Sequence, residues 1–152
     1  MTDPALAAAL DRLRAASAAA GVDGRWCVIA GAALALHGLE RGPVQDVDVC
    51  TDPDSAAALI AALGGTPLAI APPPRWRSSV FARIDGIPRI EIMGGFEVLG
   101  PDGWSLIAPA AIVLHGVPVA TQAALADLYA LMDRPRDAAR RAALADRLRS
   151  PR

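Results

Sequence analysis

The spacing of apolar residues along this chain changes repeatedly, and each change predicts an element. Leu6, Leu10, Leu13 and Ala20 recur at helical intervals and fall on one face. Asp3 is placed as an N-cap and Pro4 at the first helical position, so a helix is expected from there to Gly21. Arg25 to Ala30 reads as a buried strand, and Gly31 to His37 as a short helix stopped by Gly38. Asp46 to Thr51 alternates between polar and apolar residues, which predicts a half-buried strand. Asp52-Pro53 repeats the cap signature before a helix with Leu59, Ile60 and Leu63 inward, closed by Gly64-Gly65. Thr66 to Ala71 reads as a further strand ahead of a rigid Pro72-Pro73-Pro74.

In the second half, Val80 to Ile84 and Arg89 to Met93 flank Asp85-Gly86, the signal of a β-hairpin. Gly94-Gly95 and Gly100 to Gly103 mark turns, and Val117 to Ala120 is a short extended piece. Thr121 caps a helix that gathers Leu125, Leu128, Tyr129 and Met132, and a last helix is expected from Asp133 onward with Leu144 and Leu148. Helices around a small mixed β-sheet make this an α+β (α/β) chain, expected to form one domain over residues 1–152.

Composition narrows the function classes. The chain carries 15 Arg, no Lys and 16 acidic residues, for a net charge of −1. That balance argues against a broad nucleic-acid-binding surface. The Arg-only usage reads as the mark of a GC-rich genome. The longest apolar stretch, around Trp26 to Leu36, is too short to cross a bilayer, and no basic segment precedes the first apolar face. A soluble cytoplasmic protein without membrane attachment is expected. Cys27 and Cys50 fall inside predicted strands and read as reduced, buried thiols. His37 and His115 lack the spacing of zinc ligands, and His37 reads as a packing residue at a helix end.

The candidate chemistry lies in three acids. Asp46 and Asp48 alternate with Val47 and Val49, so both carboxylates point to one face, roughly 6–7 Å apart by strand rise. Glu91 sits likewise between Ile90 and Ile92. Acids at the edges of buried strands make a cradle for hard divalent cations, which favour oxygen ligands. Gly31, opening a helix beside them, suggests phosphate chemistry. Arg41 reads equally as a surface loop residue or a phosphate ligand. Arg75 and Arg77, around Trp76, read as an exposed loop.

The run Ala30-Gly31-Ala32-Ala33-Leu34-Ala35-Leu36-His37-Gly38, then Arg41, then Asp46-Val47-Asp48, resembles the signature of the minimal nucleotidyltransferases of the DNA polymerase beta superfamily. Their pattern is a Gly-Gly or Gly-Ser turn, a short helix often ending His-Gly, an Arg, Asp-x-Asp on a strand, and a third acid matched by Glu91. Arg134-Pro135-Arg136-Asp137 resembles the Arg-Pro-Lys-Asp start of the closing helix in small bacterial members. The likeness covers roughly residues 25 to 145. Four positions depart from it: Ala30 replaces the first Gly, Ala32 lacks a hydroxyl, Arg136 replaces Lys, and Arg140 stands where a second Asp is common.

The resemblance implies a nucleotidyltransferase fold and transfer of a nucleoside monophosphate from a nucleoside triphosphate (NTP) to a hydroxyl acceptor. It implies two Mg2+ or Mn2+ ions on Asp46, Asp48 and Glu91, which are the catalytic residues. Gly31, Ala32, Arg41 and Arg136 would hold the triphosphate. The acceptor stays open between a small molecule, an RNA end and a protein side chain, with a homo-oligomer or protein partner completing its site. A second expectation is a weak or inactive partner of the same fold in a two-component, toxin–antitoxin-like module. A glycosyltransferase using its own Asp-x-Asp site is disfavoured by chain length and by the glycine turn.

Overall fold

The computed structural model describes residues 3–70 and 75–150. Ala71 and Pro72-Pro73-Pro74, expected to end a strand and form a rigid stretch, lie outside the described residues. Helix α1 (Pro4–Ala20) begins where expected, Asp3 accepting from Ala5 N–H at 3.3 Å, and ends on Gly21 in the left-handed conformation. Strand β1 (Trp26–Ile29) is buried throughout and leads directly into α2 (Ala30–Leu36). Strand β2 (Asp46–Thr51) is followed by α3 (Pro53–Ala62), whose cap Asp52 accepts from both the N–H and the hydroxyl of Ser55. Those bonds hold the Asp52 carboxyl below its usual range.

Residues 66–70 do not form the expected strand, although Leu68 N–H donates to Phe81 C=O at 2.7 Å. The short β3 (Trp76–Arg77) follows, then the hairpin β4 (Val80–Ile84) and β5 (Arg89–Gly94). Three strands arise where no strand was expected: β6 (Glu97–Gly100) and β7 (Gly103–Leu106), beside the expected turns, and β8 (Ala111–Leu114). Strand β9 (Val117–Ala120) and α4 (Gln122–Met132) match the pattern. The last helix starts later than Asp133. Pro135 forces Arg134 into extended backbone, a 3-10 turn spans Pro135–Asp137, and α5 runs Ala138–Arg149.

The main sheet has the order β4-β5-β2-β1-β9-β8 and is mixed, with β2–β5 and β1–β9 parallel and the other pairs antiparallel. A small antiparallel sheet, β3-β6-β7, stands beside it. Helix α3 packs on β4 and β5 with α1 against it, while α4 meets α5 and β6. The core joins Val28, Val49 and Ile92 of the central strands to Leu13, Leu59 and Leu125 of the helices. Burying each large side chain contributes about 1.5–3 kcal/mol. Cys27 and Cys50 face each other across β1 and β2 as free, buried thiols, and burial pushes them up to about 11 and about 12. Among the described residues no helix is long and apolar enough to cross a membrane.

Candidate functional site

The parallel register of β2 and β5 sets Asp46 opposite Arg89 and Asp48 opposite Glu91. The antiparallel register of β4 and β5 sets Arg83 opposite Glu91, and that of β1 and β2 sets Ile29 opposite Asp48. A lateral row Arg83–Glu91–Asp48–Ile29 therefore crosses four strands. Strand pleating keeps Glu91 and Asp48 on one face of the sheet.

The acids are partly compensated. Arg89 Nε donates to Asp46 Oδ1 at 2.9 Å, and its Nη2 lies 3.3 Å from Glu91 Oε1. Arg83 Nε reaches the same Glu91 oxygen at 3.4 Å. Asp48 has no such cation beside it. Burial pushes its carboxyl up to about 7, helped by the charges of Glu91 and Asp46 and by a hydrogen bond shared with Glu91, while Arg140 opposes the rise. A hard cation between these two carboxyl groups would satisfy both.

Among the described residues no three His, Cys, Asp or Glu side chains converge closely enough to hold a metal ion as they stand. The structure thus brings Asp48 and Glu91 together and leaves Asp46 turned to Arg89. The donor set of the Asp48–Glu91 pair suits one hard divalent ion. A full set from all three acids requires Asp46 to leave Arg89.

These acids open onto a cavity of about 600 Å³. One side is the turn from β1 into α2, with Ile29, Ala30 and Gly31. Ala30 has φ +59°, a left-handed conformation that strains any residue with a Cβ, at the position where the resembled pattern has glycine. Another side is apolar. Trp76, Met93, Phe96, Leu128 and Met132 line it, and the Trp76 ring lies 5.9 Å from that of Phe96. Arg134, Arg136 and Arg140, from the 3-10 turn and α5, also line the cavity.

The residues expected at the site divide cleanly by place. Asp46, Asp48, Glu91, Gly31 and Arg136 line the cavity. Ala32 is fully buried behind the turn, and Arg41 is exposed outside the cavity lining. His37 lies outside the cavity lining, and its Nε2 hydrogen-bonds to Ala120 C=O at 2.8 Å. Trp76, expected on an exposed loop, instead forms cavity wall, while its neighbour Arg77 pairs with Glu97 at 2.9 Å and covers the Trp104 ring.

Three residues of the site escaped the sequence. Glu40, Asp137 and Tyr129 form a network with Arg134 and Arg140. Asp137 is buried, with Arg134 Nε at 2.6 Å and Arg140 Nη1 at 4.0 Å. Tyr129 is fully buried and its hydroxyl accepts from Arg140 Nη1 at 3.3 Å; burial pushes that phenol up to about 12. Glu40 takes both Nε and Nη2 of Arg140, at 2.7 and 3.0 Å. Only Asp137, closing the run Arg134-Pro135-Arg136-Asp137, left a sequence signal.

No protein-family model matches this chain, and no curated protein matches it in sequence. Solved structures do match in shape. TM1012 of Thermotoga maritima, itself a candidate nucleotidyltransferase, superposes with a TM-score of 0.68 at 23% identity over 98% of this chain and 93% of its own. The antibiotic-resistance factor ANT(2'')-Ia superposes with a TM-score of 0.60 at 15% identity, over 95% of this chain and 83% of its own. Its complex with adenylyl-2''-tobramycin gives 0.62 at 14% identity, over 93% and 88%. The fold is that of the nucleotidyltransferases.

Proposed function

We propose that this chain is a divalent-cation-dependent nucleotidyltransferase that moves a nucleoside monophosphate from an NTP to a hydroxyl acceptor. The observation that carries this is the placement of Asp48 beside Glu91, with Asp46 two residues away, in one cavity that Arg134, Arg136 and Arg140 also line. Acids suited to a cation and arginines lining the same cavity fit a bound triphosphate. The likeness in fold to ANT(2'')-Ia, solved with an adenylylated aminoglycoside, supports the same reaction class.

In this proposal Asp48 and Glu91 hold the cation, and Asp46 joins them on leaving Arg89. A bound divalent cation supplies Lewis-acid stabilisation and lowers the pKa of an acceptor hydroxyl. The backbone N–H of Gly31, with Arg136, orients the triphosphate. Trp76, Met93 and Phe96 offer an apolar wall against which a nucleobase can lie. In the same proposal Glu91 receives the proton of the acceptor hydroxyl. That oxygen bonds to the α-phosphorus, the α–β bridging bond breaks, and pyrophosphate leaves with the bonding pair.

A second reading is a weak or inactive partner protein of this fold. It is favoured by one feature: Arg89 and Arg83 already occupy Asp46 and Glu91. One experiment separates the two. Wild type and Glu91→Gln are incubated with each labelled NTP, Mg2+ and cell extract. The enzyme reading expects pyrophosphate release and a labelled acceptor, both lost steeply in Glu91→Gln while NTP binding persists. Absence of pyrophosphate release and of any labelled acceptor in wild type favours the partner reading.

A further inference from the structure

Arg140 and Glu40 are 100 residues apart in sequence and form, among the described residues, the one bidentate carboxylate–guanidinium contact at the cavity. The pair lies against the turn from β1 into α2. A Cβ placed on Gly31 would sit 3.1 Å from Arg140 Nη2 and 3.5 Å from Glu40 Oε2. Both side chains line the cavity, and each is about one-third exposed, at 33% and 34%. Ligand can therefore reach the contact. The other edge of the guanidinium is anchored separately, with Nη1 donating to the Tyr129 hydroxyl and facing the buried Asp137.

We propose that Arg140 is a triphosphate-binding residue held closed by Glu40 in the free protein, and that the incoming triphosphate displaces Glu40 from its Nε–Nη2 edge. This rests on the nucleotidyltransferase reading above. The chemistry is an exchange of like for like: the guanidinium fork fits carboxylate and phosphate oxygens with the same two-bond geometry. Triphosphate brings several charges where Glu40 brings one, and an ion pair this exposed is weakly held. Tyr129 and Asp137 keep the guanidinium in place while its partner changes. Glu40, once released, frees the loop that also carries Arg41 and leads into Asp46. Arg140 stands where the resembled family commonly has an acid, so this latch belongs to this chain and not to the shared pattern.

The test is a double-mutant cycle read by titration calorimetry, with ATP and with inorganic tripolyphosphate as probes, alongside thermal unfolding. Glu40→Gln is expected to tighten both probes roughly two- to fivefold, because binding no longer breaks an ion pair. Arg140→Ala is expected to weaken them about tenfold or more, and Arg140→Lys to recover part of that loss. In the Arg140→Ala background, Glu40→Gln should change affinity no further. Opposite signs with this non-additivity establish the latch. If both single variants lose thermal stability while wild-type affinity is unchanged in each, the pair is a structural clasp and the proposal falls, with the nucleotidyltransferase reading intact. If Glu40→Gln tightens binding equally with and without Arg140, simple charge repulsion replaces the latch. If neither wild type nor Glu40→Gln binds either probe, the nucleotidyltransferase reading itself fails and takes the latch with it.

Discussion

Asp48 and Glu91 lie opposite each other across parallel strands and share a hydrogen bond, in a position from which solvent is largely withdrawn. Burial first, and then the nearness of Glu91 and Asp46, raises Asp48 to about 7. In the unfolded chain the same carboxyl has its ordinary value of 3.8. The native state therefore keeps a proton that the unfolded chain has already released. Its stabilising contribution is complete below the lower value and disappears as pH rises through the upper one.

In metal-free buffer, wild-type Tm measured relative to Asp48→Asn should accordingly fall by several degrees between about pH 4 and about pH 7. Thermal unfolding of the two proteins side by side checks this. A difference that stays flat with pH would mean that Asp48 is ionised in the folded protein.

Divalent cations should reverse that loss. Millimolar manganese is expected to raise the Tm of wild type at pH 8, and chelation should abolish the rise. The double variant Asp48→Asn with Glu91→Gln should show no manganese response. An equal shift in both proteins would place the cation elsewhere.

Arg89 bridges Asp46 and Glu91 and so substitutes for a cation in the free protein. Arg89→Met removes that compensation without shortening the side chain much. Its Tm in chelator should drop below wild type, and its gain on adding manganese should exceed the wild-type gain. A smaller or equal gain would show that Arg89 does not compete for the acids.

Ala30 holds φ +59° at the entry to α2. Glycine adopts that conformation without strain, so Ala30→Gly should stabilise the fold by up to about 1 kcal/mol, after the extra chain entropy of glycine is offset. Denaturant unfolding gives the sign directly. A loss of stability would mean that the turn relaxes around alanine.

Gly94 ends β5, the strand that carries Glu91. A Cβ there would lie 2.5 Å from Ala56 Cβ and 3.1 Å from Pro53 Cα, where α3 packs on the sheet. Gly94→Ala should therefore cost about 1–3 kcal/mol by overpacking. Unchanged stability in urea would show that α3 yields at this contact.

Some of this protein is fixed by local pattern. Alternation puts Asp46 and Asp48 on one face of a strand whatever surrounds it, and Asp3-Pro4, Asp52-Pro53 and Thr121 start helices through their own backbone chemistry. The strands that were not expected lack that pattern. β8 reads Ala-Ile-Val-Leu with no alternation and lies exposed at the sheet edge, and β7 interrupts Gly-Trp-Ser-Leu with small and polar residues. Pairing with β9 and β6 makes them strands. Tertiary structure alone decided which acid stands beside Asp48, because that depends on the parallel register of β2 with β5, which joins residues some forty positions apart. It alone brought Arg140 from α5 onto Glu40 and against Gly31. Contacts between distant elements follow from how helices and sheet pack, and no residue's local preference encodes its partner across the fold.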